Sequence, residues 1–288
     1  MILPQLLAGV ASGAIYTSVA LALIMIYKAT HQVNFAQGEL AMCSTYACAS
    51  LIDAGVPYWA AFALTLAISF VAGVALERVI VRRFRGAPIL TQVIVLIGLM
   101  TLFNSLAGWI CGPSLRPFPS PFDPHAGYAS RYLSAHAIGM IGVTLIVLIL
   151  VFGFFRYTRL GLAMRAAADH PASARLLGIR VGWMLALGWG LAALLGAVAG
   201  VMAAPMFSLD PGMMSGVLLY GFAAALLGGI DNPWGAPVGG VLVGVLDNLA
   251  GGYLVGSQLK LALALCVIIG VLILRPSGLL GRRVVARV

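Results

Sequence analysis

Apolar stretches of about 20 residues recur along the whole chain, and each is long enough to cross a bilayer as a helix. Hydrophobic residues make up 62% of the sequence and charged residues only 9%. About a quarter of the residues in a soluble domain are charged, so too few charges remain here for a water-facing surface. The sequence therefore predicts an all-α polytopic membrane protein.

The basic residues between the apolar stretches test how many crossings there are. The predicted spans cover residues 3–27, 33–52, 57–76, 88–111, 137–155, 182–206, 212–230, 234–252 and 259–274. Lysine and arginine concentrate in cytoplasmic loops. With the N-terminus outside and the C-terminus inside, only Arg116, Arg131 and Lys260 of the 17 basic residues fall on the outer side. The N-terminal stretch has no charged leader region, so we expect it to be a retained first span.

The net charge of +9 raises the question of nucleic-acid binding. The charges form short clusters between apolar stretches, where they would meet lipid headgroups, so no nucleic-acid partner is predicted. The predicted inner clusters contain Lys28, Arg78, Arg82, Arg83, Arg85, Arg156, Arg159, Arg165, Arg175, Arg180, Arg275, Arg282, Arg283 and Arg287.

Two of the predicted spans are irregular. The second begins VNFAQGELAMC, with Asn34, Gln37, Gly38 and Glu39 ahead of its apolar run, and residues 228–240 read GGIDNPWGAPVGG. Non-helical backbone at membrane depth is tolerated when it is packed in protein or lines a wet cavity, and transporters bind solutes there. Ordinary loop edges would give the same pattern. We expect about eight or nine transmembrane helices, with one or two broken or re-entrant segments.

Paired glycines recur at a spacing that permits close helix packing. The pairs are Gly9 with Gly13, Gly196 with Gly200, and Gly240 with Gly244. They predict helix contacts within the chain or with a partner.

The sequence contains no energy source of its own. It has no GxxxxGK[ST] phosphate loop, no GxGxxG after a strand and no histidine or cysteine cluster with metal-ligand spacing. A membrane-embedded enzyme would need a paired acid and base or a metal cluster, which the sequence lacks. The chain must either use an ion gradient or borrow energy from another subunit.

A gradient-driven carrier would usually have ionisable groups deep in the membrane. Glu39 and Asp247 are the two acids predicted within spans, each as a pathway residue or as an interfacial carboxylate. The others are expected in or beside loops: Asp53, Glu77, Asp123, Asp169, Asp210 and Asp231.

The predicted inner loop at residues 156–182 carries five arginines together with an apolar series. That series is Leu162, Met164, Leu176, Leu177 and Ile179, and Pro171 interrupts it. The pattern predicts two short helices lying along the membrane face. A solvated loop has little need of so many leucines and alanines, so we expect an interaction surface for a cytoplasmic partner.

This loop resembles the coupling loop in the permease family of branched-chain amino acid ABC importers. The family pattern T-x-x-G-x-A-[ML]-R-A-x-A-x-[DN]-x-x-x-A-x-L-x-G-I has counterparts here. The coupling residues that the resemblance implies are Thr158, Gly161, Met164, Arg165, Ala168, Asp169, Ala174, Arg175, Leu177 and Gly178. His170 departs from the family's usual spacing of polar residues after Asp169.

Two further motifs carry the same resemblance over essentially the whole chain. The motif N-F-A-[HQ]-G-E stands at residues 34–39 and favours the shorter of the family's two permease types. The glycine-rich C-terminal motif runs from Gly228 through Asp247, where glutamate is commoner, to R-P-x-G-L-x-G at residues 275–281. The translocation-pathway candidates are Asn34, Gln37, Gly38, Glu39 and Asp247.

The resemblance implies a single transmembrane permease domain over residues 1–288, in a bacterial inner membrane. A second permease subunit, identical or different, would complete the pathway. Two cytoplasmic ATPases would bind ATP and Mg²⁺, an external binding protein would deliver the solute, and this chain would hold no cofactor and catalyse no reaction. Branched-chain amino acids lead as substrates, with other amino acids, urea or short amides, and aromatic acids left open. The alternative is a stand-alone gradient-driven carrier or channel.

Overall fold

The computed structural model describes residues 2–30, 32–123, 133–253, 259–275 and 277–281. The helices of this part of the chain are α1 (Ile2–Thr30), α2 (Gln37–Asp53), α3 (Tyr58–Val79), α4 (Ile89–Cys111), α5 (Ala135–Tyr157), α6 (Arg159–Asp169), α7 (Pro171–Leu176), α8 (Val181–Phe207), α9 (Met213–Gly228), α10 (Gly235–Tyr253) and α11 (Lys260–Leu274). A short 3-10 helix, Val81–Phe84, lies between α3 and α4. Among the basic and motif residues named above, Arg131, Pro276, Arg282, Arg283 and Arg287 lie outside the described residues.

Each predicted span coincides with one helix, and the all-α membrane fold is confirmed. Within the described residues, five segments are long and apolar enough to cross a membrane: Ile2–Lys28, Tyr58–Phe84, Ile89–Cys111, Ala135–Tyr157 and Val181–Phe207. The remaining predicted spans correspond to shorter helices, α2, α9, α10 and α11, of 17, 16, 19 and 15 residues.

Proline and glycine mark several helix boundaries. Pro57 and Pro88 directly precede α3 and α4, and Pro171 is the first residue of α7, where the missing amide hydrogen is harmless. Gly112 and Gly229 directly follow α4 and α9 with φ of 81° and 106°. This left-handed backbone ends a helix at little cost only for glycine.

The described residues form two compact units. The first draws on Met1–Ile24, Phe122–Thr144 and Gly216–Val288, and the second on Met25–Pro121 and Leu145–Ser215. Both are assembled from separate stretches of chain. A single domain over residues 1–288 stays a prediction.

The first unit contains the glycine contacts between α1 and α10. A Cβ atom added to Gly13 would lie 2.8 Å from the carbonyl oxygen of Gly240, and one added to Gly9 would lie 2.7 Å from Cα of Val245. The two backbones therefore touch, as the glycine spacing predicted.

In the second unit, α8 is the most buried helix and packs against α2, α3 and α6. A Cβ on Gly200 would lie 2.7 Å from the carbonyl oxygen of Ala41 on α2, and one on Gly73 would lie 2.7 Å from that of Trp189 on α8. The apolar side chains of α4 are largely exposed. They are available to contact lipid.

Candidate functional site

The loop at residues 156–182 forms two short helices, α6 and α7, as the sequence predicted. Thr158 precedes α6, and its side-chain oxygen accepts a hydrogen bond from the Gly161 amide at 3.0 Å. Pro171 starts α7 directly after His170, and Gly178 follows the helix with a φ of 79°. A helix cap, a proline and a left-handed glycine therefore define the two helices from local sequence alone.

One face of α6 and α7 is buried in the second unit. Gly161, Met164 and Ala167 of α6 and Ala174 of α7 are all buried. Ala167 and Ala174 pack in one apolar cluster with Val181, at the start of α8. Predicted coupling residues Gly161, Met164 and Ala174 therefore anchor the two helices rather than present a surface.

The opposite face is exposed and mixes charge with leucine. The predicted coupling residues Arg165, Asp169, Arg175, Leu177 and Gly178 lie there, whereas Ala168 is half-buried. Leu162, Leu176 and Leu177 have 60%, 89% and 79% of their surface exposed. Exposed leucines among charges are typical of a surface that another protein covers. We call these exposed side chains of α6 and α7 the coupling face.

The motif at residues 34–39 leads into α2, and its polar side chains are buried. The Asn34 side-chain oxygen accepts from the Ala36 amide at 3.0 Å, and its amide nitrogen donates to the Gln37 side-chain oxygen at 3.3 Å. Gln37 in turn donates to the main-chain carbonyl of Ala192 on α8 at 2.9 Å. This network joins the start of α2 to the middle of α8, and Gly38 is buried beside it.

Glu39, the last residue of that motif, faces α4. Its two carboxylate oxygens lie 3.3 and 3.4 Å from the Asn104 amide nitrogen, which donates to the Pro211 carbonyl at 2.8 Å. Glu39 therefore has a polar partner within the second unit and connects α2, α4 and the segment before α9.

Asp247 belongs to the first unit, on α10. Its carboxylate lies 3.8 Å from the Lys260 ammonium at the start of α11 and accepts a long hydrogen bond of 3.5 Å from Tyr16 of α1. The Tyr16 ring stacks on Tyr220 with centroids 4.9 Å apart. Asp247 and the motif at residues 34–39 lie in different units, and each has partners of its own.

The glycine-rich C-terminal motif also has a structural explanation in the first unit. Residues 229–234 are non-helical, which separates α9 from α10. The amides of Leu279 and Leu280 donate to the carbonyls of Leu227 and Gly228 at 2.8 and 3.0 Å. The segment 277–281 therefore satisfies carbonyls at the end of α9.

Glu77 was expected in or beside a loop, and it lies in the last turn of α3, where its side chain is buried. It has no exposed surface, is paired with Arg85 and lies 4.0 Å from Arg78. Burial lowers the pKa of Arg85, and the Glu77 carboxylate opposes that shift. The sequence signal was an acid followed by four arginines within the next eight residues.

One protein family matches nearly the whole chain. A family model described as "branched-chain amino acid transport system / permease component" matches residues 5–274. The chain belongs to this family. It is a permease component with several membrane-spanning helices.

Curated relatives of this permease span nearly its full length. The high-affinity branched-chain amino acid transport system permease protein LivH of Escherichia coli (strain K12) is 31% identical over 99% of this chain and 97% of its own. The corresponding protein BraD of Pseudomonas aeruginosa is 31% identical over 99% and 98%. A probable branched-chain amino acid transport permease protein LivH of Methanocaldococcus jannaschii is 25% identical over 91% and 87%. No solved structure matches this chain.

Proposed function

We propose that this permease is the membrane-spanning subunit of an ATP-binding-cassette importer that moves branched-chain or related amino acids into the cytoplasm. The coupling face carries the proposal, because α6 and α7 are anchored on one side and expose leucines and arginines on the other. The chain itself is non-catalytic, and ATP and Mg²⁺ bind to two partner ATPases. The names of its relatives support the substrate class.

The grouping of loops in the second unit supports an inward orientation of the coupling face. One cavity is lined by residues from three of the predicted basic inner loops: Thr30 and Gln32, Arg82 and Arg85, and Ala167 and Arg175. Arg116 and Leu209 pair near the opposite end of α8. The positive-inside rule then assigns the coupling face to the cytoplasm and the N-terminus to the outside of a bacterial inner membrane.

The proposed mechanism uses the ATPases as the moving parts. Their closure on ATP would push on α6 and α7, and α5 and α8 would transmit that push because they adjoin the two helices in the chain. The pathway between this subunit and a second permease would then alternate its access by rigid-body motion. An external binding protein would deliver the solute and select it.

A stand-alone carrier is less well supported. Glu39 and Asp247 were its candidate ion-coupling residues, and both make local contacts with polar side chains. In the importer these two residues, with Asn34, Gln37 and Gly38, hold helices that border the pathway.

The decisive experiment isolates the permease from its native host in mild detergent. The importer predicts that ATPase subunits and a second permease co-purify, and that liposomes containing only this chain transport nothing. Transport by the chain alone along an ion gradient would overturn the proposal.

A second experiment tests the coupling face directly. Arg165→Glu combined with Arg175→Glu should abolish ATPase binding and leave membrane insertion normal, because both side chains are exposed. Arg116→Glu is the matched control, since Arg116 is exposed near the other end of α8. Normal ATPase binding by the double variant would contradict the assignment of the coupling face.

A further inference from the structure

A cavity of about 670 Å³ in the second unit is lined in part by α6 and α7. Its wall is formed by Thr30, Gln32, Val81, Arg82, Arg85, Gly86, Gln92, Ala167, Ala168, Pro171, Arg175, Val181, Gly182 and Leu185. The volume is in the range of small-molecule binding sites. Pro171 and Arg175 also belong to the coupling face, whereas the other lining residues have no role in the coupling described above.

The cavity is cationic. Arg82 and Arg85 come from the segment after α3 and Arg175 from α7, while Thr30, Gln32 and Gln92 add neutral hydrogen-bonding groups. None of the described residues lining it is acidic. Arg85 is already paired with Glu77, so Arg82 and Arg175 are the two arginines available to an anion. Guanidinium groups bind phosphate oxygens in a bidentate manner.

The surface next to the cavity is apolar and faces outward. Ile89 and Leu90, which follow Gly86 at the start of α4, have 76% and 71% of their surface exposed. Val79 and Ile94 nearby are also exposed. A phosphate group held by Arg82 would therefore lie beside side chains suited to contact acyl chains.

We propose that this cavity binds the headgroup of an anionic phospholipid. Its phosphate contacts Arg82 and Arg175, and its acyl chains lie along the first turns of α4. Basic pockets between membrane helices on the cytoplasmic side suit such headgroups. Since Ala168, Pro171 and Arg175 belong to α6 and α7, the lipid connects the loop after α3 to the coupling face. The inference goes beyond the proposed importer function, and binding can be measured without an ATPase or a solute.

The test compares ligands on the purified full-length permease in a neutral detergent. Dihexanoyl phosphatidylglycerol is the probe, dihexanoyl phosphatidylcholine lacks the net charge, and glycerol 3-phosphate lacks the acyl chains. We expect phosphatidylglycerol to bind at least about tenfold more tightly than the other two, as loss of a charged contact or of apolar burial predicts. Binding is read by native mass spectrometry and by the ligand-dependent rise in melting temperature.

The variants separate a built site from general charge attraction. Arg82→Gln should weaken phosphatidylglycerol binding about tenfold, and Arg175→Gln tests the contribution of α7 independently. Arg83→Gln is the control, because Arg83 is exposed on the same 3-10 helix and does not line the cavity. Arg82, Arg83 and Arg175 are all exposed, so folding should tolerate the three substitutions.

Three results would overturn the proposal. Equal binding of glycerol 3-phosphate would assign the cavity to a soluble phosphate compound. Equal weakening by Arg83→Gln would indicate diffuse charge attraction. An effect of Arg82→Gln that arises only when ATPase subunits are present would assign the arginine to a protein contact.

Discussion

Arg85 pairs with the carboxylate of Glu77, a side chain that has no exposed surface, and so ties the segment after α3 back to the last turn of α3. Arg78 lies on the same turn, and its guanidinium stacks 3.6 Å from the ring centroid of Trp183 in the first turn of α8. The end of α3 is thereby joined to the start of α8, directly after the coupling face.

Removing the Glu77 carboxylate should destabilise this junction. Glu77→Ala leaves Arg85 partly buried without its partner, and breaking a buried pair costs about 3 kcal/mol or more. We expect a clear fall in melting temperature in detergent. Glu77→Gln should be milder because the amide oxygen still accepts a hydrogen bond. An unchanged melting temperature for Glu77→Ala would contradict the structural role of this pair.

The close contact of α8 with α2 should make Gly200 intolerant of any side chain. Gly200→Ala places a methyl group 2.7 Å from the Ala41 carbonyl oxygen, so the helices must separate. Overpacking of this kind costs about 1–3 kcal/mol. Gly98→Ala on α4 is the control, because no atom lies within 4 Å of its added Cβ. The measurement is the midpoint of thermal aggregation for each variant, and equal midpoints would exclude the steric explanation.

Replacing apolar side chains with serine should affect the two faces of α6 and α7 differently. Met164→Ser removes a buried side chain and should cost about 2–4 kcal/mol of stability. Leu176→Ser with Leu177→Ser alters two exposed residues, so stability should be kept while ATPase affinity falls. Melting curves and ATPase pull-down on both variants separate the effects. If Met164→Ser lost ATPase binding without losing stability, Met164 would belong to the coupling face and not to the buried face.

The Asp247–Lys260 pair should contribute little to stability. The Lys260 side chain is 31% exposed and the atoms are 3.8 Å apart, and partly exposed pairs are worth about 1 kcal/mol or less. A double-mutant cycle with Asp247→Asn and Lys260→Gln measures the interaction. A coupling energy well above about 1 kcal/mol would show that the pair is effectively dry.

Replacing Gln37, whose hydrogen-bonded side chain is buried, should cost more stability than breaking the Asp247–Lys260 pair. Gln37→Ala removes the donor to the Ala192 carbonyl and also the acceptor of the buried Asn34 side-chain amide, which is left without that partner. The expected cost is about 1–3 kcal/mol. Gln92→Ala is the comparison variant. Gln92 is only half-buried, and its side chain also donates to a main-chain carbonyl, that of Ala87, at 2.6 Å. Comparable melting temperatures for the two variants would argue against a special role for the motif at residues 34–39.

Local features of the chain could be predicted because they depend on neighbours in sequence. The nine apolar stretches, the break at residues 229–234 and the two short helices on either side of His170 all follow from run length, proline and glycine. The glycine pairs also predicted close packing, although not which helix each pair would meet. The buried state of Glu77 was missed, because the arginine that satisfies it lies beyond the end of the helix.

By itself, the sequence determined the membrane class, the helices, the positions of the basic loops between them and the family, since hydropathy, charge placement and motifs are properties of the chain as written. Only the tertiary structure decided which face of α6 and α7 is buried, which partners Glu39 and Asp247 contact, and that Arg82 and Arg175 line one cavity. Those relationships join residues far apart in the chain. They depend on how helices pack, which periodicity and composition do not encode.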